Sequence, residues 1–177
     1  KNITAGNPKT AEQYQMTKRH SIVWLFSEDG KNWYEEQKNF ASDTIKAAYN
    51  DSGRVVWVGK DVTGIEPTNV SIIELPDITA NRRITVPGYW FYRNDEFVFD
   101  YKLKAEDERD TLLQQTSIMT SEWEKDLLLG LISDEDREKL KAYRIYAKAL
   151  QAMDLSTITD KTTYNAINWP ERPDAAA

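Results

Sequence analysis

The sequence contains no cysteine, so disulfides, zinc–thiolate sites and a thiol nucleophile are excluded together. Histidine occurs once, at His20, in a polar stretch that offers it no orienting partner, and a lone imidazole of that kind points to no catalytic role. No apolar run approaches the roughly 20 residues that span a bilayer. The first ten residues, KNITAGNPKT, also lack the apolar stretch of a secretion signal, so the expectation is a soluble protein not exported by the usual route. Cations are in deficit: 23 Lys and Arg stand against 29 Asp and Glu, giving a net charge of −6 and a pI near 4.9. That balance disfavours a nucleic-acid surface, and Arg82, Arg83 and the scattered Lys residues are too few for a lipid-binding patch. The acids are interspersed, without an acidic tail. Glycine-rich phosphate loops, G-x-S-x-G and H-E-x-x-H are missing as well. The N-x-[ST] matches at Asn2 and Asn69 are chance patterns. Nothing supports an enzyme, a cofactor or a metal.

What remains falls into two compositions. Residues 1–20 are polar and without sustained periodicity, and read as a partly ordered arm. From residue 21 the pattern is β-like. SIVWLF is followed by the Asp29-Gly30 turn. Ile45, Ala47 and Tyr49 alternate before an Asn50-Asp51-Ser52-Gly53 turn, and Val56 and Val58 after it. VSIIEL is a further strand, and YWFYRNDEFVF gives two aromatic strands around Asn94-Asp95, after a break at Pro87-Gly88. Five or six short strands make a small antiparallel domain.

Near residue 104 the period changes to 3.6. Leu112, Thr116, Met119, Trp123 and Leu127 mark one face of a helix over about 105–129, which Gly130 ends. Ser133 caps a second helix whose first turn is acidic, with an apolar stripe of Leu140, Tyr143, Ala147 and Leu150, helped by Tyr146 and Met153. The fold class is therefore α+β: an antiparallel β domain over 1–103 and a helical hairpin with an irregular Trp-Pro tail over 104–177. In that tail Trp169 is followed by Pro170 and Pro173, so side-chain packing must hold it, and the stripe of Tyr143, Ala147 and Leu150 is the expected seat, with Trp123 or Leu127 opposite.

Each candidate for chemistry has a plainer reading. Glu35 and Glu36 beside Trp33 and Tyr34 resemble an acid pair on sugar platforms, but neighbours on a strand point to opposite faces and cannot flank one bond. SDEDRE, 133–138, lacks the glycine and the terminal glutamate of a calcium loop and suits a helix N-terminus. The aromatics carry more. Six Trp and nine Tyr are present, four aromatics run together at 89–92, and the outward-facing ones either pack within the fold or form a partner surface. Trp33, Tyr34, Trp90 and Tyr92 are the candidate partner contacts.

The C-terminal stretch LLLGLISDEDREKLKAYRIYAKALQAMD, 127–154, followed by INWPERP, 167–173, resembles the tail fibre assembly proteins of tailed bacteriophages and prophages, of Mu-like and lambda-like type. The matching positions include Gly130, Ser133, Leu140, Tyr143, Tyr146, Leu150, Trp169, Pro170 and Pro173. SEDGKNWYE, DSGRVV, GKDVTGIEP and VSIIELPD extend the similarity to about 21–173. Tyr143 stands where many relatives carry Trp, and residues 1–20 match nothing in the pattern. The resemblance implies a non-enzymatic chaperone, active in the host cytoplasm and able to remain at the fibre tip. Its partner would be the C-terminal, receptor-binding domain of a homotrimeric tail fibre, whose folding and trimerisation it assists. The alternative it leaves is a virion-tip adhesin that binds host lipopolysaccharide, and glycan hydrolysis is a third reading.

Overall fold

A computed structural model describes residues 2–174, which divide into two units between Phe99 and Asp100. The first unit is built on a five-stranded antiparallel sheet. Its strands are β1 (Asn2–Gly6), β2 (Trp24–Ser27), β3 (Ile45–Tyr49), β4 (Val55–Gly59) and β5 (Val70–Leu75), in the order β2-β1-β5-β3-β4. A separate ribbon pairs β6 (Trp90–Arg93) with β7 (Glu96–Phe99) across Asn94 and Asp95, both at positive φ, as a tight two-residue hairpin turn demands.

The sequence suggests a partly ordered arm over residues 1–20, and the described part of it is regular structure throughout much of its length. Asn2–Gly6 pairs with β2 on one side and β5 on the other, which buries Ile3. Helix α1 (Ala11–His20) follows, with Thr10 accepting from the Gln13 amide at its start and Ser21 in the left-handed region at its end. It is tied to its surroundings by polar contacts: the Trp24 indole donates to Thr17 Oγ1 at 2.7 Å, and Lys9 Nζ, just before the helix, donates to the Gly30 carbonyl at 2.9 Å.

Two apolar layers flank the sheet. On one side Ile3, Leu25 and Ile72 meet Trp33, Phe40 and Val62. On the other, Ala47, Val55 and Ile73 meet Ile84, Trp90 and Phe97. A register shift in the β3–β4 pairing places Tyr49 opposite Val55 and Ala48 opposite Trp57, which leaves Val56 as the extra residue. Val55 and Val58 consequently share the core face while Val56 is exposed, so the expected alternation of Val56 with Val58 is displaced by one residue.

Lys46 is 1% exposed, and its ammonium is compensated by the carbonyls of Lys60, Ala41 and Thr44 and by Glu74 at 3.7 Å. Further along, Asp77 joins the end of β5 to its neighbours by accepting from Lys60 Nζ and Arg82 Nε, each at 2.6 Å. These contacts, the Arg82 hydrogen bond first, lower the Asp77 pKa from 3.8 to about 2. A depressed carboxylate stabilises the fold above its ordinary pKa and loses that contribution as pH falls through the folded value. Stability should therefore decline between about pH 4 and pH 2, and Asp77→Asn should flatten that part of a urea-midpoint profile.

The first unit also holds the short helices α2 (Trp33–Glu36) and α3 (Thr79–Arg82). The second unit begins with α4 (Tyr101–Leu129), whose N-cap Asp100 accepts from the Leu103 amide at 2.9 Å. The helix thus starts four residues before the expected 105. Gly130, at φ 70°, ends it, and Ser133 opens α5 (Asp134–Gln151) by accepting from the Asp136 amide at 3.1 Å. The two helices lie antiparallel. Short helix α6 (Lys161–Asn165), which the sequence reading did not anticipate, is fixed by a capping box between Asp160 and Thr163. Tyr143, Tyr146 and Leu150 are buried against Leu112, Leu113 and Trp123. A second cluster at the start of α4 joins Ala105 to Leu155 and Ile158. Trp169 is half-buried and packs on both clusters. The tail therefore lies towards the start of α4. Of the two residues expected opposite Trp169, Trp123 packs on the same Tyr143–Tyr146–Leu150 cluster, whereas Leu127 lies at the far end and is 46% exposed. No helix among the described residues is long and apolar enough to cross a membrane.

Candidate protein-binding surface

The four aromatic candidates are not brought together as one outward surface. Trp33 and Tyr34 lie on a single helical turn, α2 (Trp33–Glu36), not on a strand. Asn32 caps that turn by accepting from the Tyr34 amide at 3.0 Å. Successive helical residues point about 100° apart, so Trp33 goes inward, 3% exposed and edge-on to Phe40, while Tyr34 stays 40% exposed. Tyr34 packs edge-on against Trp24 and donates to the Val23 carbonyl at 2.8 Å. Trp33 is core and unavailable as a contact in the folded unit. Trp90 and Tyr92 do share one face of β6, but that face meets the sheet. Trp90 packs over Ala47, Val55 and Ile84, and Tyr92 stacks on Tyr49 with ring centroids 4.7 Å apart. Of the four, only Tyr34 retains a large accessible surface.

The carboxylates form no sugar-sized site in this part of the chain. Asp29 and Glu36 line a cavity of about 110 Å³ with Trp33 and Phe40, below the roughly 300 Å³ at which small-molecule pockets begin. Lys31 lies between them, 3.7 Å from Asp29 and 3.6 Å from Glu36. In SDEDRE, Ser133 is the cap, while Glu135 and Asp136 pair with Lys139 at 2.7 and 3.6 Å. No group of three or more His, Asp or Glu among the described residues is placed to hold a metal ion.

An uncovered apolar surface lies instead on the helical hairpin, at its turn and along the adjoining part of α5. Leu128 is 87% exposed, Leu131 71%, Leu129 70% and Ile145 62%. The sequence held the signal for this. Consecutive helical positions 127, 128 and 129 sweep about 200° of circumference, more than the stripe that one packed neighbour covers, so three successive leucines cannot all be buried by α5. Beside them a groove of about 660 Å³ runs between α4 and α5, floored by Leu127, Leu128, Leu140 and Ile145. Its α5 wall carries Arg137, Lys141, Arg144 and Lys148. The intervals of four, three and four place these cations in one line along the helix. Glu124, which meets Arg144 at 3.6 Å, is the one acid lining the groove. An acidic chain thus bears a locally basic, apolar-floored channel.

Residues 35–174 match the family model described as "Caudovirales tail fibre assembly protein, lambda gpK". Over 180 aligned residues, covering 98% of each chain, the sequence is 43% identical to "Tail fiber assembly protein U'" of Escherichia phage Mu. It is equally similar, with the same coverage, to the protein of that name from Escherichia phage P1. "Tail fiber assembly protein U" of phage Mu is 37% identical, again over 98% of both chains.

Proposed function

The chain belongs to the tail fibre assembly protein family of tailed bacteriophages, and from that premise we propose that it is a non-enzymatic chaperone for the C-terminal, receptor-binding domain of a tail fibre. Fibre chains that must trimerise in register expose strand edges and apolar trimer-facing surface before they meet, and such surface aggregates. A binder that covers it holds the chains apart from wrong partners until they zip together. The observation that carries this reading is the exposed apolar surface of the helical hairpin, with Leu128, Leu129 and Leu131 at its turn and Ile145 farther along α5 all more than 60% accessible. Exposed aliphatic side chains grouped in this way mark an interaction surface, not a feature of a self-sufficient fold.

This reading moves the contact from the aromatics of the β unit to the helical unit. Tyr34 remains an accessible secondary contact. The work would be done in the host cytoplasm during assembly, and the chain could then stay at the fibre tip. Co-expression tests the proposal. The C-terminal fragment of the cognate fibre should be insoluble or non-trimeric alone, and a soluble, heat-resistant trimer when this chain is present. Equal trimerisation without the chain removes the chaperone role. The basic groove wall favours one second reading, a tip adhesin for the phosphates of lipopolysaccharide. Binding of lipopolysaccharide by the isolated chain, with no effect on the fibre fragment, is the result that selects it.

A further inference from the structure

We infer that the α4–α5 groove is the seat for one elongated segment of the partner polypeptide, bearing apolar side chains flanked by carboxylates. This rests on the fibre-binding reading and makes it specific. The argument is one of shape and charge. Arg137 to Lys148 spans eleven residue steps of α5, or about 16 Å of helix at ~1.5 Å per residue, which matches roughly five residues of extended chain. Along that length the floor is aliphatic and the wall is cationic, so an occupant must be apolar on one side and acidic on the edge facing α5. The side chains of Arg137, Lys141 and Arg144 are 57%, 67% and 63% exposed, and so remain accessible to such a partner. Their contacts with Asp134, Glu138 and Glu124, at 3.6–3.9 Å, are loose surface pairs that cost little to exchange.

Charge also decides between occupants. In a two-fold dimer of this chain through the groove, each cationic line would face its own copy, a like-charge arrangement that disfavours self-association. A linear channel with an aliphatic floor suits a strand or helix more closely than a headgroup, because the cations are strung out along 16 Å or so rather than gathered around one phosphate.

The test uses the full chain and the C-terminal fragment of the cognate tail fibre. Lys141→Glu with Lys148→Glu reverses the middle and end of the wall, Ile145→Asp alters the floor, and Lys161→Glu is a charge control on an exposed site of α6. All four altered positions are at the surface, and an unchanged melting temperature confirms that each variant folds. Fragment affinity should fall at least tenfold for the wall and floor variants and less than twofold for the control, with the wild-type affinity weakening as salt rises. If the wild type binds and trimerises the fragment and the groove variants do so equally well, the groove inference is overturned while the chaperone reading stands. If the wild type does neither, both fall. A wild-type dimer in sedimentation that the groove variants abolish would replace the fibre segment with a second copy. Loss of lipopolysaccharide binding by the variants, with fibre binding intact, would assign the groove to an anionic glycolipid and overturn the inference in that way.

Discussion

Gly53→Ala should destabilise the β unit by about 3 kcal/mol, far more than a glycine in a surface turn ordinarily costs. Two separate demands meet at this residue. Its φ of +81° lies where a side chain costs about 1–2 kcal/mol. In addition, a Cβ built there would stand 2.5 Å from the Tyr92 carbonyl oxygen, and that neighbour is backbone that cannot swing away. Relief requires the β3–β4 turn to move off the β6–β7 ribbon, which breaks the Tyr92 amide bond to the Gly53 carbonyl, now 2.7 Å, and loosens Trp90 from Ala47 and Val55. Gly130 separates the two demands, because it too has positive φ, +70°, but nothing lies within 4 Å of its Cβ position. Gly130→Ala should therefore cost only ~1 kcal/mol. Urea unfolding of the two variants measures the contrast, and equal costs would mean that the close approach at Tyr92 constrains nothing.

That contact also marks where the sequence stops being informative. Asn50-Asp51-Ser52-Gly53 reads as a turn from its residue types alone, because Asn50 can accept from amides two and four residues on, as it does from Ser52 and Arg54. The tertiary reason for Gly53 is invisible locally, since Tyr92 is distant along the chain. The bulge at Val56 is hidden for a related reason: VVWV is apolar at every position, so period-two reasoning has no polar residue against which to set its phase.

The ordered N-terminal segment was missed because its attachments are polar. Strand β1 has one large apolar residue, Ile3, and is held by backbone pairing on both sides. Helix α1 bonds to Trp24 through Thr17 and buries Gln13, while Tyr14 and Met16 stay 40–50% exposed, so its hydrophobic pattern points away from the contact it makes. Only its end signals, Thr10 before and three basic residues in the last turn, were legible. The helical hairpin was the opposite case. A cap at Ser133, a stop at Gly130 and a regular stripe on α5 all point the same way, and the helices lie where that agreement put them. For the candidate surface the sequence misled through residue type. Trp and Tyr serve cores and interfaces alike, and here Trp33 and Trp90 pack in the core while Tyr92 stacks on Tyr49. LLLGL resembles a helix end and a family signature, and it also holds more leucine than one buried stripe can cover, which the exposure of Leu128, Leu129 and Leu131 reflects.

Trp169→Ala should lower the stability of the helical unit by about 2–3 kcal/mol, less than the ~3–5 expected for emptying a fully buried aromatic site, because part of the indole stays in water. The residue matters through what it joins. Pro170 and Pro173 have no amide hydrogen to give, so the last ordered turn depends on side chains. Trp169 packs on the Ala105–Leu155–Ile158 cluster and also on the Tyr143–Tyr146–Leu150 cluster, and Arg172 continues the path beside Tyr143, paired with Asp174 at 2.7 Å. Removing the indole uncouples the start of α4 from α5. Amide exchange should accordingly quicken in α6 and the first turns of α4, while β3 and β5 keep their protection, since they belong to the other unit. Trp169→Phe should recover about half of the loss by refilling one cluster. The groove lies farther along the same two helices, so a change in how α4 and α5 pack near the tail is expected to reach it. Trp169→Ala should thus weaken fibre binding although Trp169 lines no part of the groove. Unchanged exchange in α4 and α6 would show that the helices hold their spacing without the tail, and would leave NWPERP free to be a docking segment in its own right.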